Sequence, residues 1–252
     1  MFTKAITRTP CSRFSQGLTT SSLGAPDHAL MLRQHALYLE TLERLGVKVE
    51  NLPAEEAFPD AHFVEDTAVV TPEVAIITNP GAESRRGETA TIAPVLARYR
   101  SIEQIETPGT VDGGDVLMAG DHFFIGLSER TNPEGAAQLG AILERYGKSW
   151  QTVEVAAGLH FKSSVNLVAE QTLLVSEDFA EHPALVDYER IVLDRDEEYA
   201  GNTLLVNGTL IMPAGFPKTR EKLAALEMEI VELEMTETRK MDGGLTCLSL
   251  RF

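Results

Sequence analysis

Cys247 has the reactive side chain around which the chemistry of this chain can be assembled. It lies in Lys240-Met241-Asp242-Gly243-Gly244-Leu245-Thr246-Cys247-Leu248-Ser249-Leu250-Arg251-Phe252, where an acid-bearing Gly-Gly turn is expected to feed a short alternating strand. That strand would put Leu248, Leu250 and Phe252 on one face and Cys247, Ser249 and Arg251 on the other. A cysteine kept for packing belongs on the apolar face, so Cys247 reads as a nucleophile, against the plain alternative of a small core residue. A thiol is mostly protonated at neutral pH and needs help to attack. Cys11 follows Pro10 in a polar loop and receives no role.

His160 stands before a strand pair, after Ala156-Ala157-Gly158-Leu159 and ahead of Lys162-Ser163-Ser164. A histidine there can serve as general acid and base near neutral pH. Asp112, in Gly109-Thr110-Val111-Asp112-Gly113-Gly114-Asp115, occupies the same junction one unit earlier and could orient the imidazole; ordinary turn chemistry explains Asp-Gly-Gly equally well. Asp60, Glu65 and Asp66 bring three carboxylates into the apolar stretch 58–67. Facing one mouth, they would suit a guanidinium or ammonium group. Arginines at 85–86 and at 130 could hold a carboxylate through paired N–H groups. Acids at one end and arginines at the other fit an amino acid with a cationic side chain. Cysteine and histidine spacing does not suit zinc, and the Gly-Gly pairs lack a phosphate-loop or dinucleotide fingerprint, so no metal or cofactor is expected.

These residues need a scaffold, and the chain offers a repeat. Strand pairs are expected in Glu65–Asn79, Asp115–Leu127, Ser164–Ser176 and Gly201–Pro213, the last turning at Asn207-Gly208. A fifth would join Leu245–Phe252 to Thr3–Thr9. Helical stripes follow: Leu32, Ala36, Leu39, Leu42 and Leu45; Ile92, Val95, Leu96 and Tyr99, weakened by Pro94; Leu139, Ile142, Leu143 and Tyr146, capped at Thr131 or Asn132 with Pro133 next; and Lys218–Leu226. Glu181–Val186 is too short to convince. A further strand closes each unit. The strand–strand–helix–strand unit recurs every ~40–50 residues, as in closed or stacked arrays. Five units in a ring would gather the starts of the inner strands around one mouth. A single α/β domain over residues 1–252 is expected, for want of a linker or low-complexity segment.

The totals narrow the partners. The 252 residues are 43% hydrophobic, enough for a sizeable core. A net charge of −16 argues against nucleic acid and is compatible with a cationic small substrate. No apolar run reaches the ~20 residues of a membrane span. Two cysteines make no disulfide framework, and the N-terminus carries no secretory pattern, so a reducing cytoplasm is expected. The oligomeric state stays open, a homodimer included.

Six motifs, in order, carry a resemblance over nearly the whole chain: Phe-Val-Glu-Asp-Thr (63–67), Pro-Gly-Ala-x-Ser-Arg-Arg (80–86), Asp-Gly-Gly-Asp-Val-Leu (112–117), Gly-Leu-Ser-x-Arg-Thr-Asn (126–132), Leu-His-x-Lys-Ser (159–163) and Asp-Gly-Gly-x-x-Cys (242–247). The chain resembles the guanidino-modifying enzymes of the pentein superfamily, and among them the dimethylarginine dimethylaminohydrolases. The resemblance implies a five-bladed α/β propeller of ββαβ repeats with pseudo-five-fold symmetry. It implies that methylated arginines are hydrolysed to citrulline through a covalent Cys247 thiouronium, with His160 as acid and base and Asp112 orienting it. It places Asp66 and Asp242 on the guanidinium, Arg85 and Arg130 on the α-carboxylate, and Asp60 with the backbone near Leu18 on the α-amino group. Residues 15–22 become a lid, and Glu65 lies near the site. Arginine deiminases share the chemistry but carry a helical insertion that this chain has no room for. The non-catalytic ribosome-binding branch of the fold is the reading from another class.

Overall fold

The computed structural model describes residues 1–155 and 160–252, so Ala156, Ala157, Gly158 and Leu159 of the histidine motif lie outside the described residues. In chain order come β1 (Lys4–Arg8), α1 (His28–Arg44), β2 (Lys48–Leu52), β3 (Ala68–Val70), β4 (Val74–Ile77), α2 (Thr89–Leu96) and β5 (Ser101–Gln104). Then come β6 (Val116–Ala119), β7 (His122–Leu127), α3 (Pro133–Arg145), β8 (Ser149–Glu154), β9 (Val165–Ala169), β10 (Thr172–Val175) and β11 (Glu189–Val192). β12 (Leu204–Val206), β13 (Thr209–Pro213), α4 (Pro217–Ala224), β14 (Glu229–Leu233), α5 (Thr236–Arg239) and β15 (Leu250–Arg251) complete the chain.

Among the described residues the strands form five three-stranded sheets. In each, the first strand runs antiparallel to the second and the third runs parallel to it, as in β6–β7–β8. The last sheet is built from both ends of the chain: β15 pairs with β1 through Ala5↔Arg251 and Ile6↔Leu250, and β1 pairs with β2. The expected ring of ββαβ units is therefore present, closed by the termini.

Local signals explain most of the elements. Asn207 and Gly208 take φ of 50° and 89°, the left-handed pair of a tight hairpin. Asp27 caps α1 by accepting from Leu30 N, and Asn132 caps α3 by accepting from Gly135 N, with Pro133 at the first helical position. The third unit replaces its helix with short 3₁₀ turns at Glu177–Phe179 and Pro183–Leu185. Pro94 lies inside α2, which runs only two residues past it to Leu96. The stripe expected on α1 holds at Leu39, Leu42 and Leu45, which pack into one core cluster, but not at Ala36, which is exposed; Met31, Gln34, His35 and Tyr38 are buried on the same helix. Gln34 and Tyr38 find partners there, Gln34 on Thr236 Oγ1 at 2.7 Å and Tyr38 on Ser249 Oγ at 2.6 Å.

Apolar packing is divided among the junctions between blades. Val69 and Ile76 of one blade meet Val116, Phe123 and Ile125 of the next beneath Leu139 and Leu143 of α3. Phe124 and Phe161 join the second and third blades, and Ile6, Ile77 and Leu250 join the last to the first. Truncating one such fully buried aromatic to alanine costs about 3–5 kcal/mol. Each junction thus fixes one blade against its neighbour, and with it the loops around the axis.

The C-terminal strand is shorter than its alternation suggests. Thr246–Leu248 form a 3₁₀ turn, and only Leu250–Arg251 pair as strand. Asn202 Oδ1 accepts from Thr246 N at 2.9 Å, which spends that amide on a side chain rather than on a ladder. Cys11 is buried in an apolar cluster, not held in a polar loop.

Candidate active site

Short 3₁₀ turns precede the inner strands and bring the reactive groups together. Asp66 lies within Val64–Thr67, Asp112 directly before Gly113–Asp115, His160 directly before Phe161–Ser163, and Cys247 within Thr246–Leu248. Cys247, His160, Asp66, Asp242, Asp60, Arg85, Arg130 and Leu18 line one cavity, with Phe63 and Met241. The cavity is closed down to about 20 Å³, room for little more than a water. Of residues 15–22, Leu18 lines it, and Leu18 and Thr20 tie the loop to two of its acids. Leu18 N donates to both Asp60 oxygens at 3.2 and 3.1 Å, and Thr20 N and Oγ1 donate to Asp242 Oδ2 at 2.5 and 3.0 Å. Asp242 is held at a φ of 56°, an uncommon conformation for a non-glycine residue.

Asp112 is fully buried behind the imidazole, with Oδ2 3.0 Å from His160 Nε2 and Oδ1 accepting from Gly81 N at 2.9 Å. Asp66 Oδ1 stands 3.8 Å from the same nitrogen and accepts from Gly114 N at 2.8 Å. Burial opposes a charge on His160, but Asp66, the hydrogen bond to Asp112 and the nearby Asp115 outweigh it and raise its pKa to about 9. Burial likewise opposes ionisation of Asp66, yet His160, Arg85 and the Gly114 N–H bring it down to about 2. Cys247 behaves oppositely: burial, then Glu65 and Asp66, push its thiol up to about 12, against the Gly244 N–H at 3.4 Å and Lys162. These shifts favour an imidazolium at His160 and a protonated thiol at Cys247 at neutral pH.

The Asp-Gly-Gly motifs are not simple turns, nor are they equivalent. None of Gly113, Gly114, Gly243 and Gly244 has a positive φ. A Cβ on Gly114 would lie 2.6 Å from His160 Nδ1 and 2.8 Å from Asp66 Oδ1, and one on Gly244 would lie 2.2 Å from the Asn202 side chain. These glycines permit close approach. The first motif enters its 3₁₀ turn, whereas the second precedes its turn.

Arg85 and Glu65 are both engaged by charged partners within the protein. Arg85 lines the cavity with its guanidinium already engaged: Nε and Nη2 hold Glu88, Nη1 holds Asp66 Oδ2 at 2.5 Å, and Nη2 also donates to Asp60 O and Phe63 O. A buried guanidinium keeps two carboxylates here because an unpaired buried charge is costly. Arg130, half-buried, has no side-chain acceptor for its guanidinium among the described residues. Glu65 is not in this cavity at all. It points to the other side of its turn, onto Lys162 Nζ at 2.7 Å and Arg251 Nη2 at 3.3 Å.

No family model matches the chain. It is 46% identical over 254 residues to an N(G),N(G)-dimethylarginine dimethylaminohydrolase of Pseudomonas aeruginosa, with 100% of both chains covered. The chain belongs to the dimethylarginine dimethylaminohydrolase family. A relative of the same name from Streptomyces coelicolor is 39% identical over 250 residues, 98% of this chain and 96% of its own. A solved structure of the Pseudomonas aeruginosa enzyme, a cysteine-to-serine variant complexed with citrulline, matches with a TM-score of 0.98, 46% identity and full coverage of both chains. So does a histidine-to-glycine dimethylarginine dimethylaminohydrolase as its S-methyl-L-thiocitrulline adduct, again at TM-score 0.98. The N-terminal domain of a cyanobacterial arginine dihydrolase, at 16% identity and TM-score 0.88 over 98% of this chain, shares the five-bladed fold.

Within this family's frame, Asn202, Asp115, Glu88 and the loop threonines complete the site and escaped the sequence reading. Asn202 ties the Cys247 turn to Lys162 O, and it stands at the fourth strand head, where the repeat itself pointed. Asp115 accepts from Ser128, Thr131 and Phe161 N and so anchors the residue after His160. Glu88 had an i,i+3 spacing from Arg85 as its only signal. Asp66, Asp112 and His160 offer ligand atoms within 4.8 Å of one another, but Arg85, Gly114 N, Gly81 N and the charged imidazole already engage them.

Proposed function

We propose that this protein hydrolyses Nω-methylated arginines to citrulline and dimethylamine or methylamine, acting as one catalytic domain because its last blade needs both termini. The observation that carries the reading is the joint placement of the Cys247 thiol, the His160 imidazole and the carboxylates of Asp60, Asp66 and Asp242 around one small cavity. Asp66 and Asp242 take the guanidinium, whose charge favours the thiolate that the empty site disfavours. Arg130 takes the α-carboxylate, with Arg85 holding Asp66 in place behind it, and Asp60 with the Leu18 loop takes the α-amino group.

As the guanidinium binds, the Cys247 thiol loses its proton to solvent, and the thiolate attacks the guanidinium carbon. His160 gives its proton to the departing amine, the C–N bond breaks, and a thiouronium remains on sulfur. Neutral His160 then accepts a proton from water. The hydroxide adds to the same carbon, and the C–S bond breaks to return Cys247 and release citrulline. Asp112 keeps the imidazole turned for both transfers. The loop over residues 15–22 must lift for entry, since the closed cavity cannot hold an arginine. Two unpaired cysteines, one of them the nucleophile, support a reducing cytoplasm.

Citrulline release from asymmetric dimethylarginine and from arginine, run side by side with Cys247→Ser as control, tests the proposal. Turnover of dimethylarginine that the variant abolishes is expected. Turnover of arginine alone would move the assignment to a deiminase, and turnover of neither would remove the enzymatic reading for these substrates.

A further inference from the structure

Each blade presents the head of its inner strand to the propeller axis. Among the described residues, three heads line the catalytic cavity, through Asp66, His160 and Cys247. A fourth reaches it through the Asp112–His160 hydrogen bond. The fifth head, before β12, carries Asn202, which is buried and stands outside the lining of that cavity. Its blade lies between two of the others. Leu210 and Met212 pack against Val168 and Leu174 of the His160 blade, and Leu204 and Val206 pack against Ala5, Leu245 and Leu248 of the Cys247 blade. The His160 and Cys247 turns are therefore spaced across the fourth blade.

Packing does not hold these turns from behind. A second cavity, of about 520 Å³, lies along the axis beneath them, with Glu65, Lys162, Asn166 and Thr246 in its lining. Polar ties take the place of a floor. Asn202 Oδ1 accepts from Thr246 N at 2.9 Å, which fixes the amide's orientation and turns Nδ2 onto Thr246 Oγ1 at 3.2 Å and Lys162 O at 3.4 Å. Asn166 Nδ2 donates to Lys162 O at 2.6 Å and to Gly201 O at 2.7 Å, joining the His160 turn to the residue before Asn202. Two glycines let these parts close up: a Cβ on Gly201 would lie 3.0 Å from Ser163 O, and one on Gly244 would lie 2.2 Å from Asn202 Cγ.

We propose that Asn202 is a positioning residue for the reaction, setting the Cys247 turn against the His160 turn so that one substrate meets both. This rests on the catalysis proposed above and gives Asn202 no contact with the substrate. Attack on the guanidinium carbon depends on where the sulfur lies. Release of an amine depends in addition on where the imidazole lies, because an amine departs only with a proton. A thiolate departs without one.

The test compares two leaving groups in the first turnover. Asymmetric dimethylarginine loses dimethylamine, which takes the His160 proton. S-methyl-L-thiocitrulline loses methanethiolate as its C–S bond breaks, takes its proton from solvent, and leaves the same Cys247 thiouronium. Asn202→Ala should slow dimethylamine release about 10²-fold and methanethiol release about tenfold or less, with the KM for dimethylarginine changed less than about threefold. Tyr199→Phe loosens the same loop only where the hydroxyl donates to Gly243 O at 2.9 Å, and should show no preference between the leaving groups. A merely structural role for Asn202 slows both releases by one factor. Equal falls in folded Asn202→Ala, wild-type rates from it, or the same preference in Tyr199→Phe overturn the proposal. Should Asn202→Ala not fold, Gly244→Ala, whose methyl meets the Asn202 side chain, must show the preference instead. Wild-type protein that releases neither product overturns the catalysis and this inference with it, whereas equal falls beside an active wild type overturn this inference alone.

Discussion

His160 Nε2 lies 3.0 Å from Asp112 Oδ2, a full hydrogen bond between residues 48 positions apart on different blades. An aspartate side chain suffices because Gly114, lacking a Cβ, lets the imidazole lie against the backbone of Asp112's own turn. Gly81 N holds the other oxygen, so the carboxylate cannot swing away.

Asp112→Asn removes the charge but keeps the shape and the Gly81 contact. Turnover of dimethylarginine should fall on the order of 10²-fold or more. The Asp112 hydrogen bond raises the His160 pKa, and His160 must be protonated to serve as acid. The alkaline limb of kcat/KM should therefore move to lower pH in the variant. An unmoved limb would mean that Asp112 does not control this proton.

Gly114→Ala tests close approach. The added methyl would collide with His160 and Asp66. Activity should drop about 10²-fold, the scale of a displacement near 1 Å, while the fold persists. Near-normal kinetics from a folded variant would show that the imidazole has room to spare.

The charge on His160 also contributes to stability. Its folded pKa of about 9 stands above the ~6.5 of an unfolded histidine, so its contribution is fully present below about pH 6.5 and is lost as pH rises through about 9. The difference in Tm between wild type and His160→Gln should thus be larger near pH 6 than near pH 9.5. A difference independent of pH would contradict a charged imidazole in the empty site.

The two arginines should separate by kind of effect. Arg130→Met should leave folding intact and lower kcat/KM about 10–100-fold, mostly through KM, as for loss of a charged hydrogen-bonding partner. Arg85→Met orphans Glu88 and Asp66 in the interior and should cost about 3–5 kcal/mol of stability. Similar melting curves for both variants would argue that Arg85 is not the buried strut described here.

Much of this protein was legible in its sequence. The ββαβ repeat, the Asn207-Gly208 hairpin, the Asn132 helix cap and the closing of the ring by the termini follow from periodicity and local turn chemistry, which act over a few residues. So does the candidacy of Cys247, His160, Asp112 and the paired acids, since their side chains have few other reactive uses. Tertiary structure alone decided how these groups are oriented. Glu65 and Asp66 are adjacent, yet they serve different cavities. Arg85 and Arg130 look alike in the chain, yet one is spent on Glu88 and Asp66 while the other is open. The C-terminal alternation looked like a strand through Cys247 until Asn202, 44 residues away, captured the amide of Thr246. Each of these outcomes depends on which groups the ring brings within hydrogen-bonding distance from different blades, and on the cost of leaving a buried polar group without a partner. Neither quantity is a property of any short stretch of chain.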